Sequence, residues 1–166
     1  MAANMFMLIS DIEGDAVEGN HENWIVLEGV NWNLARAVDM TDLGSNQRGH
    51  ANTNFGKVEV TTELGKASCK LMLSVANGTV RPEITIHQCR SGDAEDEGLA
   101  PYLIWTLYST VVDSYSVSSS ADAVPTETWT LAYEKIMVEY HGTDQDTAGL
   151  SKESEFKWNL RTGKVG

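Results

Sequence analysis

Four histidines, the residues best suited to bind zinc or to transfer protons near neutral pH, are spread over the whole chain. They are His21, His50, His87 and His141. No two of them have the His-x-x-x-His spacing that places two imidazoles on one helical face as zinc ligands. A metal site assembled from distant strands leaves no local signature and stays open, but the sequence itself predicts no metal ligand and no cofactor.

Two cysteines, Cys69 and Cys89, are the next candidates for chemistry. They are too far apart for a Cys-x-x-Cys pair and too few for a disulfide framework, which suits a reducing cytoplasm. A thiol beside a histidine has the ingredients of a nucleophile and its base, but no local motif supports that pairing. Both thiols are therefore interpreted as structural.

The acidic residues do not outline a reactive site either. The cluster at 93–97 lacks the spacing of an EF-hand calcium loop and is interpreted as a solvated turn that joins two strands. The chain has no Gly-x-x-x-x-Gly-Lys phosphate loop and no Gly-x-Ser-x-Gly elbow. A carboxylate pair for glycoside hydrolysis stays open among 24 acidic side chains. The main prediction is nevertheless a protein without catalytic residues, and not an enzyme.

Length and charge narrow the class of protein. The chain has 166 residues, which fits a single domain over 1–166 with its own core. It carries 24 acidic against 12 basic residues, a net charge of −12, and no run of Lys or Arg. Nucleic acid and anionic membrane surfaces are therefore disfavoured as partners. The first apolar stretch is short and has no basic segment before it, so neither a signal peptide nor membrane insertion is expected.

The rest of the sequence is typical of a mainly β protein. Alternating apolar residues in 57–62 and 79–89 predict strands with one solvated face. The nearly continuous apolar stretch 102–112 predicts a central strand that is covered on both faces. One further strand is expected over 129–140, and a second strand of the N-terminal region is expected to begin at His21. The serine-rich stretch 117–124 is expected to be a loop.

One stretch, 66–77, has helical rather than β periodicity. Its apolar residues predict a short helix that is stable only when packed against a sheet, and the Asn77-Gly78 pair that follows predicts a left-handed C-terminal cap. The residues expected in the core or in structural motifs are Phe6, His21, Trp24, Leu71, Gly78, Tyr102, Trp105, Tyr133, Ile136 and Trp158.

The order of short motifs along the chain resembles the haemolysin-coregulated protein (Hcp) family of type VI secretion. The N-terminal motifs are Phe6 with Ile9, Gly14, and His21-Glu-Asn-Trp24-Ile25. The later ones are Lys57-Val58, Lys66-Ala67-Ser68 with Leu71 and Gly78, Tyr102-Leu103, Pro125-Thr126-Glu127, Lys135-Ile136 with Tyr140, and Trp158. The resemblance covers residues 5–159. Two departures stand out, because Cys69 replaces a proline that is frequent in the family and residues 35–55 do not align.

This resemblance implies a fold and a function. The implied fold is a small β-barrel of two packed antiparallel or mixed sheets with one short α-helix, at about 66–77, on its flank. The implied function is that of a structural subunit whose homohexameric rings stack head to tail into a hollow tube. The implied partners are further copies of the chain, the spike and sheath components of the secretion system, and small effector proteins in the lumen. The implied location is the bacterial cytoplasm, followed by secretion.

The polar stretch 38–54 is long for a loop inside a compact domain. It is interpreted either as a mobile surface loop or as a partner-contacting extension, and it resembles the extension that reaches the next ring in the family. The candidates for ring stacking are Asp42, Leu43, Asn46, Gln47, Arg48 and His50. The alternative function is a monomeric β-barrel binding module for a carbohydrate or another small ligand, in which tryptophans stack on the ligand instead of anchoring the core.

Overall fold

The structure is a computed structural model that describes residues 4–38, 53–91, 98–143 and 149–166. The predicted long loop lies mostly outside these ranges, and so do its six ring-stacking candidates, Asp42, Leu43, Asn46, Gln47, Arg48 and His50. The predicted acidic turn at 93–97 lies outside them as well.

The described residues are mostly in β-strands, which confirms the predicted fold class. The strands are β1 (Met5–Ile9), β2 (Ile25–Val26), β3 (Gly29–Asn31), β4 (Leu34–Arg36), β5 (Thr53–Phe55), β6 (Val58–Glu63), β7 (Val80–Ser91), β8 (Leu99–Ser120), β9 (Ala123–Ala132), β10 (Lys135–Thr143) and β11 (Leu150–Asn159). The helix α1 spans Ser68–Asn77, between β6 and β7.

Two sheets are present among these strands, one with nine strands and one with two. The strand order of the large sheet is β2-β1-β7-β8-β9-β6-β3, and β10 extends it by pairing with both β8 and β11. The small sheet consists of β4 and β5. Strand β8 is the centre of the fold, because it pairs with β7 and also with β9 and β10.

The two ends of the large sheet are connected by the chain itself. Strands β2 and β3 are separated only by Leu27 and Glu28, yet β2 pairs with β1 and β3 pairs with β6. The backbone N–H of Leu27 donates to Met5 (2.9 Å), and that of Glu28 donates to Thr61 (2.7 Å). One segment therefore links the two ends of the sheet, and the sheet curves around the core.

The main core lies inside this curved sheet. It contains apolar side chains from alternating positions of the strands, as their period-two pattern predicted. They include Met7, Val58, Val60, Ile84, Ile86, Leu107, Trp129, Leu131 and Ile136. Leu71 of α1 joins the same cluster and is 2% exposed, so the helix is held by burial against the sheet.

The structure corrects several predicted boundaries. Residues 117–124 are not a loop, because β8 and β9 remain paired as far as Ser120 and Ala123. Hydroxyl side chains on an exposed pair of strands can hydrogen-bond to the neighbouring strand, as Ser114 of β8 and Thr130 of β9 do (2.5 Å). The predicted strand 129–140 is two strands, interrupted at Tyr133 and Glu134.

Two N-terminal boundaries also differ from the predictions. His21 lies in a turn and not in a strand, since β2 begins only at Ile25. The helix begins at Ser68, two residues after the predicted Lys66. Its end agrees with the prediction, because Gly78 has φ 67° and ψ 32° and donates its N–H to the carbonyl of Ser74.

Candidate functional site

A two-stranded arm leads into the predicted partner-contacting loop. Strands β4 and β5 pair from Leu34↔Phe55 to Arg36↔Thr53 and form a sheet of their own. The base of the arm is fixed by a chain of hydrogen bonds, because the Trp32 ring N–H donates to the Tyr133 hydroxyl (2.8 Å), which donates to the Gly56 carbonyl (2.7 Å). The described part of the arm is thus anchored at its base.

Among the described residues, the end of β8 and the outer side of β11 are two of the strand edges that have a strand partner on one side only. The pairing of β7 with β8 ends at Val111, so from Val112 onward β8 pairs with β9 alone. Strand β11 pairs only with β10. Such edges present backbone donors and acceptors that another chain can pair with.

The hairpin formed by the ends of β8 and β9 also carries exposed apolar side chains. Val117 is 52% exposed and Val124 is 56% exposed. Neither side chain is needed for the core. The hairpin therefore offers both unpaired backbone groups and apolar area, which together are typical of an association surface.

A histidine–cysteine cluster lies on the other face of β1 and β7, away from the main core. His21 Nε2 is 3.0 Å from His87 Nδ1 and 3.7 Å from Cys89 Sγ. His21 and Cys89 are buried, at 2% and 3% exposure, and His87 is partly buried. These side chains pack with Phe6 and Trp24 in a second, smaller apolar cluster that the N-terminal segment folds over.

The protonation of this cluster follows from its surroundings. Burial, with a smaller effect of His21 and His141, lowers the pKa of His87 to about 4, so its ring is neutral at physiological pH. Burial and the nearby Glu18 carboxylate raise the pKa of the Cys89 thiol to about 12. A thiol held in its protonated form is a poor nucleophile, so Cys89 and His21 do not act as a catalytic dyad.

Glu18 fixes the orientation of His21. Its Oε2 is 2.5 Å from His21 Nδ1, and its carboxylate also accepts hydrogen bonds from the backbone N–H groups of Leu99 (3.1 Å) and Asn20 (3.2 Å). Although partial burial opposes the shift, these hydrogen bonds lower the pKa of Glu18. The carboxylate is therefore placed to accept a hydrogen bond from Nδ1–H of His21, and in that neutral tautomer the ring lone pair lies on Nε2.

A cavity of about 720 Å³ opens between the start of α1 and the segment that joins the ends of the sheet. Its lining includes Met5, Ile25, Thr62, Ser68 and Leu71, but none of the described residues around it is aromatic. Glu28 and Glu63 stand at its mouth, where burial and then the neighbouring Glu63 carboxyl group raise the pKa of Glu28. A surface without aromatic rings gives a sugar no stacking platform.

Comparison with known proteins identifies the family. A family described as "Type VI secretion system effector, Hcp" matches residues 6–140 of the chain. The chain belongs to the Hcp family. Its sequence is 26% identical over 162 residues to the protein hcp1 of Pseudomonas aeruginosa, with 97% of each chain covered.

Solved structures show the same fold as this Hcp-family chain. A structure described as that of a type six secretion system protein has a TM-score of 0.88 at 22% identity, covering 99% of this chain and 100% of the other. The crystal structure of Hcp1 from Salmonella typhimurium has a TM-score of 0.77 at 21% identity, with 100% of both chains covered. No helix in the described part of the chain has both the length and the apolar character needed to cross a bilayer.

The residues predicted in the core or in structural motifs occupy several different places. Leu71, Tyr133 and Ile136 are buried in the main core, whereas Trp105 and Trp158 are partly buried against it. Tyr102 is partly buried in β8. Phe6, His21 and Trp24 are brought together in the second cluster.

Sequence reasoning missed the partners of His21. His87 and Cys89 alternate with Ile84 and Ile86 along β7, and this alternation places them on the face opposite the main core. That face was expected to be solvated, but the segment between β1 and β2 covers it. The alternation was the available signal, whereas the covering segment could not be foreseen.

Proposed function

We propose that this Hcp-family chain is a structural subunit of the inner tube of a type VI secretion system. In this role, homohexameric rings stack head to tail into a hollow tube, which is secreted together with the spike when the sheath contracts. Small effector proteins travel in the lumen. The subunit itself makes and breaks no covalent bond. The observation that carries the proposal is the family match over residues 6–140.

The half-paired edges support assembly within a ring. The end of β8 and the outer side of β11 each have a strand partner on one side only, among the described strands. Head-to-tail contacts between different surfaces of identical subunits close into rings when the rotation permits. Two such edges on one subunit supply the different surfaces that this kind of contact requires.

The arm supports stacking between rings. Strands β4 and β5, whose base is anchored, flank the segment 39–52 in the sequence, and this segment contains Asp42, Leu43, Asn46, Gln47, Arg48 and His50. Arg48 is a cation in a chain with a net charge of −12. A cation at a contact between two acidic subunits reduces the repulsion that opposes their association.

The test is the mass and shape of the particle. Light scattering coupled to size-exclusion chromatography, followed by negative-stain imaging of the same peak, is expected to give hexamers of the 18.2 kDa chain with a central hole. Val117→Glu and Val124→Glu place charge on the exposed hairpin and are expected to weaken the ring. Val17→Glu is the matched control, because Val17 is 90% exposed but lies in the N-terminal segment.

A monomer would contradict this proposal. It would instead favour the alternative of a small-ligand binding module, with the cavity beside α1 as the place to look for saturable binding.

A further inference from the structure

We propose that His21, His87 and Cys89 form a zinc-binding site on the outer face of the β1–β7 pair. One ring nitrogen of His21, one of His87 and the Cys89 Sγ all lie within 4.8 Å of one another. Two imidazoles and one thiolate are ligands that Zn²⁺ prefers. The three groups come from two separate parts of the chain, the turn before β2 and strand β7.

Two of the three distances between the ligand atoms are close to those around a tetrahedral ion. With Zn–N near 2.05 Å and Zn–S near 2.3 Å, tetrahedral angles place two nitrogens about 3.3 Å apart and a nitrogen and a sulfur about 3.6 Å apart. The corresponding separations here are 3.0 Å for His21 Nε2 to His87 Nδ1 and 3.7 Å for His21 Nε2 to Cys89 Sγ. Binding therefore requires the two rings to separate by about 0.3 Å. At the 4.8 Å limit of the cluster, it also requires His87 and Cys89 to approach each other by about 1.2 Å.

The cluster is also preorganised around His21. Metal-binding histidines usually donate their second ring N–H to a carboxylate or a carbonyl, which fixes the tautomer and the ring plane. The contact of His21 Nδ1 with Glu18 has this form. Phe6 stacks on the same ring, with centroids 4.4 Å apart and planes 11° apart. His21 is thus held with its Nε2 lone pair towards the other two ligands.

Trp24 limits the movement of the second imidazole. Its ring centroid is 4.8 Å from that of His21 and 4.7 Å from that of His87. His87 is the ligand that is not fully buried, so it offers the route by which an ion enters. Three protein ligands leave one coordination position for water.

The proton balance of binding is simple. In the neutral tautomer with the His21 proton on Nδ1, His21 Nε2 accepts the hydrogen bond from His87 Nδ1–H before an ion binds. On binding, the His87 proton moves to Nε2 of the same ring, and the Cys89 thiol loses its proton because coordination deprotonates a thiol outright. One proton is therefore released for each ion bound.

Bound zinc would have a definite structural effect. The segment between β1 and β2 rests on β7 through the apolar contacts of the second cluster. Bonds from one ion to His21 and to two residues of β7 would fasten this segment directly to the sheet. Binding to the folded state alone raises stability in proportion to the logarithm of the free ligand concentration, so zinc is expected to raise the melting temperature.

The experiment is a zinc titration of the full chain after treatment with a chelator. We expect one ion per chain and a higher melting temperature. Cys89→Ser and His87→Gln are each expected to weaken binding by at least about tenfold. The matched controls are Cys69→Ser, which removes the exposed thiol, and His141→Gln, which removes a histidine close enough to lower the pKa of His87 but outside the cluster. Both controls are expected to bind zinc as the unchanged protein does.

Cobalt gives an independent readout of thiolate ligation. Co²⁺ in place of zinc is expected to produce a sulfur-to-metal charge-transfer band in the unchanged chain and in Cys69→Ser, and none in Cys89→Ser. The site would be disproved if the unchanged chain bound no zinc, or if the band persisted in Cys89→Ser and disappeared in Cys69→Ser. Tube assembly is measured separately by particle mass, so failure of the metal site and failure of the proposed function are distinguishable.

Discussion

The side-chain hydroxyl of Ser68, the first residue of α1, donates a 2.6 Å hydrogen bond to the buried carboxyl group of Glu127 in β9. The Tyr115 hydroxyl donates to the other carboxyl oxygen (2.8 Å), and Glu127 is 0% exposed. Two motifs of the family resemblance, 66–68 and 125–127, therefore meet at one polar link inside the fold. The link joins the helix to the sheet.

Removing this hydroxyl is expected to destabilise the protein. Ser68→Ala leaves one oxygen of a buried carboxyl group without a donor, which costs about 1–3 kcal/mol of unfolding free energy. Urea denaturation measures the loss. The matched control is Ser116→Ala, since Ser116 is exposed on β8, and it is expected to change stability by less than about 0.5 kcal/mol. Equal effects of the two substitutions would show that the Ser68 link is not stabilising.

Gly78 is expected to tolerate no β-branched residue. A side chain in the left-handed region costs roughly 1–2 kcal/mol. Gly78 has φ 67°, and a Cβ at this position would meet no atom within 4 Å, so the whole cost is conformational. Gly78→Val should lower the melting temperature. Gly29→Val is the control, because a Cβ at Gly29 also meets nothing within 4 Å and its φ is not in the left-handed region. If both variants melted alike, the cap would contribute nothing.

The carboxyl groups of Glu28 and Glu63 are expected to make stability depend on pH. Burial and then Glu63 raise the pKa of Glu28 above its ordinary value of 4.5. A carboxyl group whose pKa is raised by folding lowers the free energy of unfolding at pH values above the raised pKa. This loss disappears as the pH falls to the pKa that the group has in the unfolded chain. Glu63→Gln should therefore stabilise the protein at pH 7, by about 0.5 kcal/mol for an exposed like-charge pair, and should have no such effect below pH 4.5.

Denaturation at both pH values tests this expectation. Glu59→Gln is a suitable control, because it also removes one negative charge from β6 but is not a cause of the shifted pKa of Glu28. If Glu63→Gln raised the free energy of unfolding equally at low pH, repulsion between carboxylates would not be the cause of the stabilisation.

Shortening the arm is expected to separate folding from stacking. Replacing residues 42–51 with a Gly-Ser turn keeps Thr53, which pairs with Arg36 at the described end of the arm. The shortened chain should melt as before and keep its ring mass, because the main core among the described residues is built by other parts of the chain. Stacks of rings should become shorter in negative-stain images. Loss of folding would instead make the segment structural, and unchanged stacks would place the contact elsewhere.

Much of the fold was predictable because it depends on local patterns. The alternation of Val58 with Val60 and of Ile84 with Ile86 placed their strands correctly, and all four residues are 0% exposed. The Asn77-Gly78 pair predicted the end of the helix. These features need only the periodicity of one element and the conformational freedom of glycine.

The errors and omissions depend on tertiary structure. The serine-rich end of β8 is a strand because β9 pairs with it, which its composition does not reveal. Strands β9 and β10 were predicted as one strand, whereas both pair with β8 and their break lies opposite Ser109, whose φ is 49°. His21 and His87 are 66 positions apart, so only the folded chain shows that they are neighbours.

The connection of the two ends of the sheet by the segment 25–31 has a consequence for protein synthesis. Strand β1 pairs with β7, as Met5↔Gln88 shows, and β3 pairs with β6, which itself pairs with β9. In contrast, β7, β8 and β9 are sequential neighbours that form hairpins at once. On a ribosome, the N-terminal strands β1 and β3 emerge before the rest of the sheet to which they belong. Their apolar residues therefore remain exposed until later strands have been translated. Chaperone contact during translation is accordingly expected to concentrate on the N-terminal strands, although these emerge first.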